Sequence, residues 1–577
     1  MRLTPDQQTA IRRIVTELTG PKATVRLFGS RLDDHKKGGD VDLLVELTEP
    51  ADNPAWLSAT LSARISRQMD GRGVDVLISA PNLIRLPIHD IARREGIMLP
   101  DTKHAPRITI AGASGFIGTA LCRELARDYP VTALTRSQAR AQTPDPDTRI
   151  TWRHCDLYDP AELTHALKDC DYAVYLVHSL TPSSRLTQAA PRDMDLILAD
   201  NFARAAATNG VRQILFVSGL MPDTFRISTL LWSRREVELA LTAHGVPVTI
   251  LRAGLVVGPG GSACRLMVEL VRRIGIITLP PNARTRTRPI ALADLIRAIR
   301  HTLGKPEEFR GHYDLGGPDC ISYEDMLRTT ARLLGLKRRF LTLPWLPSRI
   351  VALGARWITG TPTALVAPVM ESLPRATRLK DNPLQRFIDQ NAIPFEQALN
   401  DALDHRRKRL LPNPRQPIHK KTRAELRQAS RVRSIQRIIQ PPGQDAAWVA
   451  GNYFRWLGDC CRPFVKTAVL TDPHTDEDTG YQVHLRPGGH LLLQLERDSQ
   501  AGTKDRQIHR ITGGLLARKG AQRGRFEFQS VLGGRYTMAA IHDFAPSLPW
   551  YLYLWSQAVA HLLVMRRYQR HLARLAR

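Results

Sequence analysis

The chain has 577 residues, 43% of them hydrophobic, and a formal net charge of +27 from 82 Lys and Arg against 55 Asp and Glu. Such a length predicts three or four domains, and the hydrophobic content is that of a soluble globular protein. No apolar run approaches the roughly 18 residues of a membrane span, the first residues lack the apolar core of a secretory signal, and the seven cysteines form no CxxC pair. A membrane protein, a disulfide scaffold and a zinc module are therefore excluded, and a cytoplasmic location is expected. The positive charge suits anionic nucleotides, nucleic acid or an acidic membrane surface, and its sign alone does not choose among them.

In chain order, Thr4-Pro5 and Asn53-Pro54 read as helix starts, an N-cap residue followed by proline at the first helical position. Between and after them "ATVRLFG", "VDLLVEL" and "GVDVLIS" read as strands, giving the order helix, strand, strand, helix, strand, helix. Strand alternation places Asp40 and Asp42 on one face, and Asp75 joins them from a neighbouring strand. Three hard oxygen donors suit magnesium, which can clamp the attacking and leaving oxygens of a phosphoryl displacement. The Gly29-Ser30 turn then brings backbone N–H groups and a hydroxyl towards a triphosphate. On these residues, 1–101 resemble the minimal polymerase-β-type nucleotidyltransferases, a small α+β domain. The resemblance implies Mg2+ held by Asp40, Asp42 and Asp75, with Asp75 as ligand or base, and ATP phosphates met by Gly29, Ser30 and Arg31.

The next predicted strand, "RITIAG", runs into "GASGFIG" and then a helix, the pattern of a dinucleotide-binding turn: Gly112, Gly115 and Gly118 permit tight reversal and close approach of pyrophosphate to a helix N-terminus. The following strand ends at Thr135-Arg136, where an arginine suits a 2′-phosphate, favouring NADP over NAD; a solvated strand-end arginine is the alternative. Further β/α alternation through "AVYLVHS", "QILFVSG" and "PVTILRAGLVVGPG" predicts a doubly wound parallel sheet. These blocks resemble the NmrA-like atypical short-chain dehydrogenase/reductases over 105–400. The resemblance implies cofactor contacts from Gly112, Ser114, Gly115, Phe116, Ile117, Gly118, Arg136, Asp156, Leu157, His178 and Ser179. It also aligns Ser218 with the catalytic serine, Leu230 with the tyrosine and Arg234 with the lysine. Leucine cannot exchange a proton, so the family's ordinary mechanism is unsupported, with His178, Ser179 or Tyr175 as substitutes and core packing or cofactor contact as the blander role for each.

Residues 401–440 carry twelve Lys or Arg and three acids, and read as a solvated basic linker; nucleic-acid contact is not expected, and membrane contact only as a weak peripheral one. Beyond it, 441–577 alternate as an antiparallel sheet closed by a long arginine-rich helix. "GGRYTMAAIHDFAPSLPWYLY" makes this part resemble a domain of unknown function with a helix-grip, START-like fold, which implies a pocket for a small or lipid-like substrate.

The expected whole is an α/β multidomain protein: an NADPH-dependent oxidoreductase fused to a metal-dependent nucleotidyltransferase. Two other readings stand beside it, a non-catalytic NADP(H) sensor and nucleotide transfer from ATP as the main activity.

Overall fold

The computed structural model describes residues 3, 5–20, 23–29, 40–69, 71–99, 106–178, 187–222, 228–343, 379–413, 432–471, 478–518, 520 and 524–576. The chain divides into two compact units, residues 1–107 with 126–130, and residues 108–125 with 131–577.

The first unit follows the expected order: α1 (Pro5–Thr19), β1 (Thr24–Phe28), β2 (Val41–Glu46), α2 (Pro54–Gln68), β3 (Val74–Ser79), α3 (Pro87–Glu95) and a short β4 (Ile97–Met98). The Asn53 side chain accepts from Trp56 N at 3.1 Å, so the second helix starts at the predicted cap. The strands lie in the order β3-β2-β1-β4, with β2 and β3 parallel and Asp42 directly beside Asp75. Ile11, Val15, Leu43, Val45, Leu61 and Ile65 close the core between helices and sheet.

In the second unit a seven-stranded parallel sheet forms from β5 (Ile108–Ala111), β6 (Val131–Thr135), β7 (Ile150–His154), β8 (Tyr172–Tyr175), β9 (Gln213–Gly219), β10 (Val248–Ala253) and β11 (Gly311–Leu315). Its order, β11-β10-β9-β8-β5-β6-β7, reverses between β5 and β8, which makes the crevice at their carboxyl ends the topological switch point of a Rossmann sheet. Helices α4 (Phe116–Leu125), α5 (Pro160–Ala166), α6 (Pro191–Thr208), α7 (Thr229–Thr242), α8 (Ser262–Arg273), α9 (Leu292–Thr302) and α10 (Tyr323–Leu333) connect and flank the strands.

The last part of this unit is an antiparallel sheet of β12 (Val432–Ile439), β13 (Val465–Thr471), β14 (Asp478–Leu485), β15 (His490–Arg497), β16 (Arg506–Gly513), β17 (Arg525–Val531) and β18 (Tyr536–Phe544). Its order is β13-β14-β15-β16-β17-β18-β12, and a two-residue strand, Thr187–Gln188, adds to β12 in parallel. β12 lies inside the segment expected as a linker; its arginines pair with acids of the Rossmann part instead of standing in water, Arg433 with Asp156 after β7 and Arg437 with Asp193 on α6.

β17 explains how the two sheets share one unit. Phe526 and Phe528 point into an aromatic core with Tyr453, Phe454 and Tyr568 from helices α11 (Ala446–Cys460) and α12 (Gln557–Leu575). The alternate residues point the other way: Arg525 donates to the Tyr158 carbonyl, Gln529 meets Asp200, and Val531 joins the Rossmann core. Helix α6, caught between its own sheet and this one, has 13 of its 18 residues buried. Between this sheet and its helices the rings pack closely, Tyr453 lying 5.4 Å from Phe526 and Phe454 stacked on Tyr481 at 3.9 Å. Among the described residues no helix is long and apolar enough to cross a membrane, and all seven cysteines are free thiols.

Candidate functional site: a dinucleotide crevice

The glycine turn has the geometry its composition predicts. Gly112 adopts φ +84°, and a Cβ there would lie 2.9 Å from the Leu176 carbonyl, so the turn runs hard against the chain leaving β8. At Gly118 a Cβ would collide with the Gly112 carbonyl oxygen and lie 2.7 Å from Ala113 Cα, so only glycine lets helix α4 start this close beneath β5. The turn is braced by Gly115 N to Gly112 O at 3.0 Å and by Thr119 Oγ1 to Gly115 O at 2.8 Å. Asn413 adds bonds of 3.3 Å to Gly115 O and to Thr119 Oγ1. Ser114 is exposed at the bend, and Ile117 is half-buried. Phe116 is half-buried, and a Cβ built at Gly258 or Gly261 would meet its ring at 3.4 or 3.2 Å.

The strands beside the turn supply polar groups at their carboxyl ends. Arg136 is exposed directly after β6. Asp156 follows β7: its Oδ1 accepts from Tyr158 N at 3.1 Å and its Oδ2 from Arg433 Nη2 at 2.8 Å. Burial works to raise the Asp156 carboxyl, and Arg433, the Tyr158 N–H and Arg136 outweigh it, holding the group below its ordinary range. Leu157 is buried, with its carbonyl taken by Asn201 Nδ2 at 3.1 Å.

A second cluster gathers past the end of β8. His178 Nδ1 lies 3.2 Å from Asp195 Oδ2 on α6. Burial and the nearby Arg234 charge lower the His178 pKa, against the pull of Asp195. Arg234 is half-buried with its guanidinium 5.9 Å from the Phe216 ring centre, and burial lowers its pKa against Asp195, Tyr175 and Glu238. Tyr175 is fully buried against Phe202 and Phe216, and burial followed by Asp195 raises its hydroxyl well above the usual phenol range. That makes Tyr175 a packing residue. Ser218 is buried at the end of β9 with no hydrogen-bond partner for its hydroxyl among the described residues. Leu230 sits half-buried in the first turn of α7, where Leu231 N donates to the Ser228 cap at 3.2 Å. Asp195 was missed in the sequence because it lies beside the apolar run of a helix; three acids, Asp193, Asp195 and Asp200, on a helix with 13 of its 18 residues buried are the signal that marks it.

In the first unit the expected magnesium set does not close. Asp42 turns its carboxylate towards Gly29, where a Cβ would lie 2.9 Å from Asp42 Cγ, and Asp40 turns towards Gly73, where the corresponding distance to Asp40 Cγ is also 2.9 Å. Those glycines flank β2, one after β1 and the other before β3. Asp75 is exposed on β3, and among the described residues no three His, Cys, Asp or Glu side chains are gathered to hold a metal ion. The acids still feel one another: burial, then Asp75 and Asp40, raise the Asp42 pKa. Ser30, Arg31 and Ser179 lie outside the described residues.

Comparison with known proteins bears on the crevice. The auxiliary protein GraX of Staphylococcus aureus is 32% identical over 143 residues, 25% of this chain; the chain spans only 42% of that relative's length. A nucleoside-diphosphate-sugar epimerase from Staphylococcus aureus superposes with a TM-score of 0.42 at 16% identity, over 51% of this chain and 99% of its own. The triphenylmethane reductase of Citrobacter sp., solved with NADP(H), gives 0.41 at 17%, over 51% of this chain and 100% of its own. Residues 112–268 match the family described as NAD(P)H-binding. With the glycine turn at the switch point of its parallel sheet, this segment has a Rossmann-like fold and is similar to the NAD(P)H-binding family.

Proposed function

We propose that the chain is an NADP(H)-dependent oxidoreductase of the atypical short-chain dehydrogenase/reductase kind, acting on a small or lipid-like carbonyl compound. The observation that carries this reading is the glycine turn from Gly112 to Gly118, with Arg136 and Asp156 at the ends of the two adjoining strands. Arg136 is the residue for the 2′-phosphate, and Asp156 with Leu157 for the adenosine end. A bound nicotinamide supplies a hydride to the carbonyl carbon. The proton for the carbonyl oxygen falls to His178, which in its imidazolium form donates from Nε2 while Asp195 holds Nδ1. The Ser218 hydroxyl, without a partner among the described residues, supports a hydrogen bond to the same oxygen, and Arg234 adds fixed positive charge. The C-terminal sheet, likened by its sequence to a START-like domain, is assigned the substrate-side wall.

Titration calorimetry with NADPH and NADH, on wild type and Arg136→Ala, tests the cofactor assignment. Tight NADPH binding that weakens about tenfold in the variant (1.4 kcal/mol), with NADH unaffected, is expected; no heat with either nucleotide sinks the reading.

A second reading is a non-catalytic NADP(H)-responsive protein, favoured by Leu230 standing where the family's tyrosine would be. NADPH binding without oxidation across a broad carbonyl panel selects it. Nucleotide transfer by residues 1–101 is supported by Asp42 standing directly beside Asp75, with Gly29 close against the Asp42 carboxylate. Label from ATP incorporated equally by wild type and Asp40→Ala/Asp42→Ala discards that activity.

A further inference from the structure

The C-terminal sheet reaches into the crevice through one side chain. Arg433, on β12, donates from Nη2 to Asp156 Oδ2 at 2.8 Å and lays its guanidinium 3.9 Å from the centre of the Tyr158 ring. Asp543, on the neighbouring strand β18, stands 3.8 Å from the same Nη2. The Arg433 Nε is buried and has no hydrogen-bond partner among the described residues. Asp156 and Tyr158 belong to the segment leaving β7, at the carboxyl edge of the parallel sheet, two strands from the glycine turn. Arg136, at the end of β6 between them, acts electrostatically on both residues.

A carboxylate at this edge is useful to an adenosine only if it stays ionised and keeps its aim. The Tyr158 N–H fixes one oxygen and Arg433 the other, and a carboxylate has about four acceptor positions, so a ligand donor can still be received. The planar guanidinium, pinned between Tyr158 and Asp156, is a rigid element that a flexible lysine would not reproduce. The same strand is held four residues further on: Arg437 donates to Asp193 at 2.8 Å and to Glu236 at 2.6 and 2.8 Å, beside the helices that carry Asp195 and Arg234.

We propose that Arg433 is a positioning residue through which the C-terminal sheet completes the adenosine end of the dinucleotide site, so that cofactor occupancy and docking of that sheet are coupled. This rests on the reading of the crevice as an NADP(H) site. Because coupling between two equilibria is reciprocal, the sheet must tighten cofactor binding by the factor by which cofactor stabilises the docked sheet. Arg433 acts through Asp156, so its loss weakens NADPH and NADH alike, whereas loss of Arg136 is selective for NADPH.

The test uses the full chain. NADPH and NADH affinities are measured by calorimetry for wild type, Arg433→Ala, Arg433→Lys, Asp156→Asn and the Arg433→Ala/Asp156→Asn pair, with Arg437→Ala as a control for general loosening of the sheet. Amide hydrogen exchange over 432–439 is followed in wild type with and without NADPH. The expected result is about tenfold weaker binding of both nucleotides in Arg433→Ala, little rescue by lysine, no further loss when Asp156→Asn is added, and slower exchange of β12 once NADPH is bound. A wild type that binds NADPH, with Arg433→Ala within twofold of it, or with exchange of β12 unchanged by NADPH, overturns the coupling and leaves the cofactor reading standing. The exchange measurement needs no variant, so it decides the matter even if the substituted chains fail to fold. A wild type that binds neither nucleotide overturns both.

Discussion

Arg252 and Glu238 form a two-point ion pair between β10 and α7, Arg252 Nε donating to Glu238 Oε1 at 3.0 Å and Nη2 to Oε2 beside it, with both side chains almost withdrawn from water. The pair fixes α7, and therefore Arg234, against the sheet. Glu238→Leu alone strands a buried guanidinium and should cost about 3–5 kcal/mol, while Glu238→Leu/Arg252→Met should recover most of that loss. Urea unfolding monitored by circular dichroism checks both; equal midpoints for the single and double variants would contradict the account.

The glycine turn gives the sharpest test of the crevice. Gly118→Ala inserts a methyl group against the Gly112 carbonyl and Ala113, backbone that cannot swing aside as a side chain would. NADPH binding should weaken at least tenfold, with about 1–3 kcal/mol lost from stability. Calorimetry and a thermal melt measure the two effects, and an unchanged affinity would show that the turn does not hold the cofactor.

The proton-transfer assignment separates binding from turnover. His178→Gln should leave NADPH affinity within about threefold and reduce carbonyl reduction by roughly 10²–10⁴. Asp195→Asn should fall between it and wild type. Because burial and Arg234 put the His178 pKa below its ordinary value, and reduction needs the imidazolium, the rate should fall as pH rises through a value below about 6.5. A flat rate from pH 5 to 8 in wild type would remove His178 as the proton donor.

Two buried histidines tie the C-terminal sheet to pH. Burial, aided by Arg497, brings His509 down to about 4, and burial, aided by Arg525, brings His542 well below the ordinary range. Since the unfolded value is about 6.5, the unfolded chain binds more protons below that pH. The stability contribution is therefore fully present above about 6.5 and lost as pH falls; for His509 alone it amounts to about 3 kcal/mol by pH 4. Unfolding midpoints between pH 7 and 4 measure it, and His509→Phe should flatten the slope; a slope equal to that of wild type would exclude His509 as its source.

Much of the crevice was legible because it depends on local chemistry. Gly112 and Gly118 are required by backbone geometry within a few residues, and strand alternation marks the buried runs that follow. What escaped was set at long range. Arg433 and Arg437 look like solvated linker charges until Asp156, Asp193 and Glu236 arrive as partners, 277, 244 and 201 positions away. In the first unit the pairing of Asp42 with Asp75 was legible from strand alternation, while among the described residues no three acidic, His or Cys side chains gather to hold a metal ion.

The parallel pairing of Thr187–Gln188 with β12 has a bearing on how this chain is made. A ribosome delivers helix α6 long before the strands that will cover it, so the nascent Rossmann half waits with an apolar flank and an open strand edge. Such exposure during synthesis invites association with other chains. Splitting the gene at the change in composition near residue 440 would make that delay permanent, by cutting β12 away from the sheet it completes.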